Sequence, residues 1–138
     1  MARLVSKIQS ENLITEGDIA VGIGFPLQPG TPIQNFTTAK QIHANLQNLI
    51  LTMKGERPMQ PTFGSDVYRL LFEPIYDHTL TQACREAIES AVEQWMPFVQ
   101  VGLVEVDSDP DRNSVNIRVN YSVNGFEAAE ALNVTVRV

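Results

Sequence analysis

The sequence has few of the residues that hold folds together through covalent or metal links. Its 138 residues include one cysteine, Cys84, and two histidines, His43 and His78. A disulfide within the chain is therefore impossible. The histidines stand far apart in sequence and neither belongs to a ligand-spaced motif, whereas a zinc site needs several ligands. We expect no bound metal and no cofactor.

The sequence also lacks a basic segment and a long apolar segment. Ten Lys and Arg residues against sixteen Asp and Glu residues give a formal net charge of -6, whereas nucleic-acid binding needs a concentrated basic face. No stretch approaches the roughly 20 apolar residues of a membrane span, and none follows the N-terminus as a signal peptide requires. We expect a protein made and assembled in a cytoplasm, with no nucleic-acid or membrane partner.

Catalytic motifs are missing as well. No G-x-S-x-G occurs, and no Ser or Cys has a His at a suggestive spacing. Gly22-Ile23-Gly24 resembles the start of a dinucleotide loop but lacks its third glycine, so a tight bend or close strand packing is the favoured interpretation. The paired acids of a glycoside hydrolase could be sought in Glu73 with Asp77 or in Glu86 with Glu93. The last two lie off the apolar stripe of their helix, as on a solvated face, and the sequence favours a protein that is not an enzyme.

Amphipathic helices are clearly present. Thr38 and Gln41 form a capping box at the start of the first helix, and Lys54-Gly55 supply the signals for its end. A short second helix is expected from Asp66 to Glu73, with Ser65 as its cap. The apolar stripe of the first helix consists of Ile42, Leu46, Leu49, Ile50 and Met53.

The longest helical pattern is that of a third helix, which ends before Pro97. Thr79 caps it and Gln82 completes a second capping box, with His78 just before the cap. The spacing of its apolar residues predicts one buried stripe. The stripe consists of Leu80, Cys84, Ala87, Ile88, Ala91, Val92 and Trp95.

Alternating apolar residues predict strands on both sides of the helices. An early strand runs from Ile19 to Phe25, and turns are expected at Asp107–Asp111 and at Asn124-Gly125. An irregularity is expected near Gly102. Three later strands follow: Val99–Val106, Val115–Val123 and Leu132–Val138.

This order of elements predicts an α+β fold. Two main helices and a short one pack on a mostly antiparallel sheet, which contains a C-terminal three-stranded meander. Residues 1–17 are expected to form a flexible or partner-ordered arm. Residues 18–138 are expected to form a single domain, since a chain of this length suits one domain.

The segment between the first two helices concentrates unusual residues. Thr52 to Gly64 reads T-M-K-G-E-R-P-M-Q-P-T-F-G, and Pro58 and Pro61 forbid a continuous helix there. A rigid corner explains the glycines and prolines. It does not require Arg57, whose fork of donors suits carbonyls or carboxylates, or Phe63. These two residues are candidates either for the scaffold or for a partner interface.

This string closely resembles the signature of the GPW family of baseplate wedge proteins, historically labelled lysozyme-like. The family occurs in contractile-tail phages, contractile bacteriocins and type VI secretion baseplates. The resemblance extends over roughly residues 20–138 and includes Leu70-Leu71-Phe72-Glu73-Pro74 after the loop. It implies a structural subunit of a virion tail baseplate, assembled in the host bacterial cytoplasm in several copies of a six-fold assembly. The implied partners are other wedge proteins and the tail sheath protein, with tail tube or hub proteins as further candidates.

One departure from the family pattern lies at the end of the long helix. The family commonly has Glu-Pro-Arg there, a motif implicated in docking onto neighbouring wedge subunits, and this chain has Met96-Pro97-Phe98. The charged docking chemistry therefore does not carry over. With Trp95, these residues form an apolar cluster that is either core or a buried anchor, since interfaces favour Trp, Met and Phe. The predicted wedge-facing residues are Arg57, Phe63, Trp95, Met96, Pro97 and Phe98.

The last predicted strand offers a second candidate surface. An uncovered strand edge presents N–H and C=O groups that can accept a strand from another chain. The resemblance implies that sheath assembly starts by this route, at an edge marked by Leu132, Val134, Val136 and Val138. Three alternatives stay open: an edge protected by the N-terminal strand or arm, a peptidoglycan hydrolase of the tail, and an α+β adaptor outside tails.

Overall fold

A computed structural model describes residues 20–24, 27, 29–30, 33–72, 77–109, 111–112, 114–125 and 129–137, with only the backbone of residues 77 and 78. Their fold is α+β, as the sequence predicts. The elements are β1 (Gly22–Ile23), β2 (Gln34–Asn35), α1 (Thr38–Leu51), α2 (Val67–Leu70), α3 (Asp77–Trp95), β3 (Val99–Asp109), β4 (Ser114–Val123) and β5 (Glu130–Arg137). The chain divides into two compact units, and the boundary between them lies between Asn45 and Leu46, within α1.

The N-terminal unit contains a two-stranded antiparallel sheet, in which Gly22 pairs with Asn35. A side chain at position 22 would collide with the Gln41 side chain, and buried Asn35 donates to the Gln41 Oε1 atom at 3.0 Å. Close packing around Gly22-Ile23-Gly24 is thus confirmed. The early strand covers only Gly22–Ile23; Ile19 and Phe25, the ends of the predicted strand, lie outside the described residues.

The capping residues of the two long helices differ from the predicted ones. At α1, the Thr37 hydroxyl accepts the Lys40 N–H at 3.4 Å, so Thr37 takes the position predicted for Thr38. α3 begins at Asp77 and therefore contains His78 and Thr79. The Gln82 amide donates to the Glu86 carboxylate one turn later, at 2.8 Å, and the second capping box was wrong. Adjacent hydroxyl and acid residues offer several starts, and the apolar spacing does not choose among them.

The second helix is shorter than predicted and Ser65 does not cap it. α2 covers Val67–Leu70, with Asp66 in the cap position. The Ser65 hydroxyl is fully buried and donates to the Ile50 carbonyl oxygen at 2.7 Å. The side chain therefore ties the chain back to α1 and is unavailable to the next helix.

The C-terminal sheet is the predicted antiparallel meander, in the order β3-β4-β5. The register shifts between Val101 and Val104, which confirms the irregularity near Gly102. β3 continues to Asp109, beyond its predicted end, because residues 107–109 pair with residues 114–116. The turn is confined to the next residues, where the Asp109 carboxylate accepts the Asp111 N–H at 3.1 Å.

The core of the second unit lies on one face of this sheet. α3 contacts β3, and α2 contacts α3. In β4 and β5, buried and exposed residues alternate without interruption from residue 115 to 119 and from 132 to 137. The main buried side chains are Leu46, Leu49, Ile50, Val67, Cys84, Ile88, Ala91, Val92, Met96, Val99, Val104, Val115, Ile117, Val119, Tyr121, Leu132, Val134 and Val136. No helix in the described ranges is long and apolar enough to cross a membrane.

Candidate functional site

Residues 55–64, here called the corner loop, are closed by their own backbone hydrogen bonds. The Gly55 N–H donates to the Pro61 carbonyl oxygen at 2.7 Å, which joins the two ends of the loop. Inside it, the Gln60 N–H donates to Arg57 and the Phe63 N–H donates to Gln60, at 3.2 and 3.0 Å. The loop therefore has a defined shape although its surface is exposed to solvent.

The end of the corner loop is attached to the end of α1. The Ser65 N–H donates to the Thr52 carbonyl oxygen at 2.9 Å, beside the buried hydroxyl bond from Ser65 to Ile50. Gly64 lies at φ 121°, and a Cβ there would collide with the Thr52 carbonyl oxygen. A glycine is required at this position both for the backbone angle and for the close approach.

Polar side chains brace the start of the corner loop. The Glu56 carboxylate accepts the Met53 N–H at 3.0 Å and so satisfies a backbone donor just beyond the end of α1. Lys54 and Asp66 form an ion pair at 2.7 Å between the two sides of the corner. Both partners of this pair are partly exposed, so its contribution to stability is small.

Three of the predicted wedge-facing residues form one stack, here called the corner cluster: Arg57, Phe63 and Trp95. The Arg57 guanidinium carbon lies 3.9 Å from the Phe63 ring centroid, a cation–π arrangement. The Phe63 and Trp95 rings pack edge to face, with centroids 5.1 Å apart. The Trp95 indole N–H donates to the Thr62 carbonyl oxygen at 3.3 Å. The cluster attaches the corner loop to the end of α3.

The remaining wedge candidates separate into core and surface. Met96 is 6% exposed and belongs to the core, whereas Pro97 and Phe98 are exposed. Sequence reasoning overlooked Met59, which is 94% exposed at the tip of the corner loop. Its position between Pro58 and Pro61 was the available signal, because prolines on both sides hold an apolar side chain outside any regular element.

The two edges of the C-terminal sheet differ. β3 carries the bulge between Val101 and Val104, and bulged edges resist pairing with another chain. β5 pairs with β4 in an unbroken register over its whole length, and none of the described residues pairs with its other side. β5 is the regular unpaired edge.

The predicted sheath-facing side chains point into the core. Leu132, Val134 and Val136 are at most 4% exposed, and Val138 lies outside the described residues. These residues lie on the strand with the regular unpaired edge, but their side chains are unavailable to a partner. Only the backbone of β5 and its exposed side chains can make contact.

Two of the candidate catalytic acids and the one thiol lie among the described residues. Glu86 and Glu93 are exposed on α3 as predicted, and no group of residues in the described ranges could hold a metal ion. Burial raises the pKa of the Cys84 thiol to about 11, which keeps it in the neutral, weakly nucleophilic form. The candidate acid Glu73 and the side chain of Asp77 lie outside the described residues.

Both sequence comparisons match the chain to baseplate wedge proteins. A family model described as baseplate wedge protein gp25 matches residues 37–127. The baseplate wedge protein gp25 of Enterobacteria phage T4 is 33% identical over 84 residues, which are 61% of this chain and 63% of the phage protein. The match thus spans less than two thirds of that relative.

Solved structures share the fold. A putative tail lysozyme from Geobacter sulfurreducens has 17% identity and a TM-score of 0.66, over 74% of this chain and 92% of that chain. A chain of the anti-feeding prophage baseplate has 18% identity and a TM-score of 0.51, over 83% and 82%. At these identities the likeness shows the fold alone.

Proposed function

The chain belongs to the gp25 family of baseplate wedge proteins of contractile tails, and we propose that it joins the wedge to the tail and nucleates the sheath. The family match over residues 37–127 is the observation that carries this proposal. Each of the two proposed roles is assigned to its own surface. The corner loop and the end of α3 face neighbouring wedge proteins, and the C-terminal sheet faces the tail sheath protein.

The wedge surface is proposed from the rigidity and exposure of the corner loop. Its backbone bonds and the corner cluster fix the loop before any partner arrives, so little conformational entropy is lost on binding. Met59, Pro97 and Phe98 are exposed apolar residues on or next to this region. Arg57 is held over Phe63 with donors left for a partner's carboxylate or carbonyl groups. In this arrangement Phe63 and Trp95 position Arg57, while Met59 and Phe98 make contact.

Co-expression with candidate wedge and sheath proteins, followed by size-exclusion chromatography, tests the proposal directly. The wild-type chain is expected to elute together with a wedge protein. The Met59→Ser variant is expected to elute alone or with a reduced amount of the wedge protein. Lys40→Ser is the matched control, because Lys40 is an exposed residue far from the loop in sequence. Equal recovery of the wedge protein with all three chains would contradict the wedge surface. Co-elution only with proteins from outside tails would favour the adaptor alternative.

An enzymatic alternative is favoured by one observation, the name putative tail lysozyme that the Geobacter sulfurreducens chain carries. Its test is muralytic activity of the purified protein on peptidoglycan, compared with the Glu73→Gln variant. Under the structural proposal neither protein releases soluble fragments. Activity in the wild-type chain that Glu73→Gln abolishes would replace the structural proposal with a hydrolase.

A further inference from the structure

The three described methionines differ widely in their exposure to solvent. The Met59 side chain, at the tip of the corner loop, is 94% exposed, whereas that of Met53 is 42% exposed and that of Met96 is 6% exposed. An oxidant in solution attacks a thioether according to the accessibility of its sulfur. A peroxide therefore reaches the Met59 sulfur first, the Met53 sulfur more slowly and the Met96 sulfur last.

Met59 occupies a turn within the corner loop. The Gln60 N–H donates to the Arg57 carbonyl oxygen at 3.2 Å, so Pro58 and Met59 are the central residues of this turn. Proline is favoured at the first central position because its ring fixes φ there. A second turn follows at once, closed by the bond from the Phe63 N–H to the Gln60 carbonyl oxygen at 3.0 Å. The exposed thioether is therefore held at a fixed place on the surface before a partner binds.

Oxidation of this sulfur changes its polarity. The sulfur attacks one oxygen of hydrogen peroxide, so that an S–O bond forms and the O–O bond breaks. The sulfur loses two electrons, and the second oxygen takes them together with the hydroxyl proton and leaves as water. The product is a sulfoxide, which has a polar S–O group in place of an apolar thioether. Because the Met59 side chain is 94% exposed, water solvates the new group in the free chain and the fold is undisturbed.

The sulfoxide is costly once a partner covers the tip of the corner loop. A thioether suits a contact surface because it is apolar and adapts its shape to the partner. The sulfoxide oxygen must instead lose its water, and an apolar partner surface offers it no hydrogen bond in return. Oxidation therefore weakens the contact that Met59 makes without weakening the protein.

We infer that Met59 is a site of reversible oxidation by peroxides, and that its sulfoxide blocks docking of the wedge protein. The inference rests on the proposed wedge role and adds a chemical control to it. The free subunit is the sensitive form, since a docked wedge protein covers the sulfur. Methionine sulfoxide reductase reverses the change: two thiols supply the electrons and become a disulfide, and the oxygen leaves as water.

The test follows oxidation and docking in the same sample of the full-length chain. The chain is treated with dilute hydrogen peroxide and divided between mass spectrometry and size-exclusion chromatography with the candidate wedge protein. The described methionines fall one each in the tryptic peptides 41–54, 55–69 and 86–112. Sulfoxide forms in peptide 55–69 about twofold faster than in 41–54 and at least about tenfold faster than in 86–112. Complete oxidation of Met59 lowers recovery of the wedge protein about fivefold or more, and reductase treatment restores it.

Two leucine variants assign the effect to one sulfur. Met59→Leu has an apolar side chain of similar size that cannot form a sulfoxide, so peroxide leaves its recovery of the wedge protein at the value of its own untreated sample. Met53→Leu is the matched control, because it lacks the half-exposed sulfur before the loop and keeps the sensitivity of the wild-type chain. Thermal unfolding by circular dichroism coincides for treated and untreated wild-type chain, which separates lost docking from lost folding.

The inference and the wedge role can fail separately. Unchanged recovery of the wedge protein after full conversion of Met59 would overturn the inference and leave the wedge role standing. Sensitivity that persists in Met59→Leu, or disappears in Met53→Leu, would overturn the assignment to Met59. An untreated chain that recovers no wedge protein would remove the wedge role and this inference together, while co-elution with the sheath protein would still measure the sheath role.

Discussion

Among single residues, Gly64 carries the strictest backbone requirement. Its φ of 121° and the predicted collision of a Cβ with the Thr52 carbonyl oxygen act together. We expect Gly64→Ala to lower the free energy of unfolding by about 3 kcal/mol or more. Gly55→Ala is the matched control, because Gly55 has φ 89° with open space around it, and should cost about 1–2 kcal/mol. Urea denaturation measures both, and equal losses would contradict the steric argument.

The buried thiol of Cys84 predicts a loss of stability in alkali. Its pKa rises from 9.0 to about 11 on folding because burial disfavours the thiolate. The native state therefore holds this proton more tightly than the unfolded state. The stabilising contribution is complete below pH 9 and is lost as the pH rises from 9 to 11, at a slope of at most about 1.4 kcal/mol per pH unit. Denaturant unfolding at several pH values measures the slope.

A variant isolates the contribution of the thiol. Burial and the hydrogen bond to Glu130 also raise the pKa of Tyr121, which adds a loss above its ordinary value of 10. Cys84→Ala keeps the Tyr121 component and removes the thiol component, although its cavity lowers stability at every pH. An identical slope in Cys84→Ala and in the wild-type chain between pH 9 and 10 would contradict the assignment.

For whole elements, the corner cluster predicts that the corner loop and α3 are energetically coupled. Phe63→Ala and Trp95→Ala each remove one side of the edge-to-face ring contact. In a double-mutant cycle we expect a coupling energy of about 0.5–1.5 kcal/mol. Phe72 pairs only with Tyr68 among the described rings, so Phe72→Ala with Trp95→Ala should be additive. Additivity in the Phe63–Trp95 pair would show that the rings do not stabilise each other.

Elements with strong periodicity were predicted well, and their ends were not. The stripes of α1 and α3 place Leu46, Ile50, Cys84 and Ile88 in the core as expected. Helix starts depend on single hydrogen bonds, and neighbouring residues such as Thr37 and Thr38 compete for them on nearly equal terms. The contact between Phe63 and Trp95 joins residues 32 positions apart, and no local pattern encodes it. Phe63 was predicted at an interface from the composition of the loop, and Trp95 from its place beside Met96-Pro97-Phe98, so their contact was not part of either prediction.

At the scale of the whole molecule, β5 is part of the core, and this limits how its role can be tested. Leu132, Val134 and Val136 each bury a side chain worth about 1.5–3 kcal/mol. Their summed contribution is comparable to the total stability of a small domain. We expect deletion of residues 132–138 to abolish cooperative thermal unfolding measured by circular dichroism. Arg137→Ala should unfold cooperatively, and a cooperative transition in the deleted chain would contradict the assigned core.

The family and the α+β fold could be predicted from the sequence because both depend on local strings and periodicity. From the sequence, the unpaired edge could be assigned to the C-terminal meander. The sequence did not predict which backbone groups of β5 bond to β4 and which face outward. Alternation along β5 identifies the buried face, and either set of residues could bond to β4. The Asn124 N–H bonds to the Phe98 carbonyl oxygen, so the backbone of Asn124 faces β3. Alternation along β4 then turns its odd-numbered residues towards the even-numbered residues of β5.

The unequal edges of the C-terminal sheet have a consequence for assembly. In polymer chemistry, a unit with two reactive ends extends a chain, and a unit with one reactive end starts or caps it. In the described part of this chain, β3 is interrupted by its bulge and β5 is regular, so the sheet is monofunctional towards strand addition. If two copies paired through their β5 strands, each would use its regular edge, and growth would stop at the pair. Under the proposed sheath role, a subunit of this kind sets the number of growing chains without adding to their length.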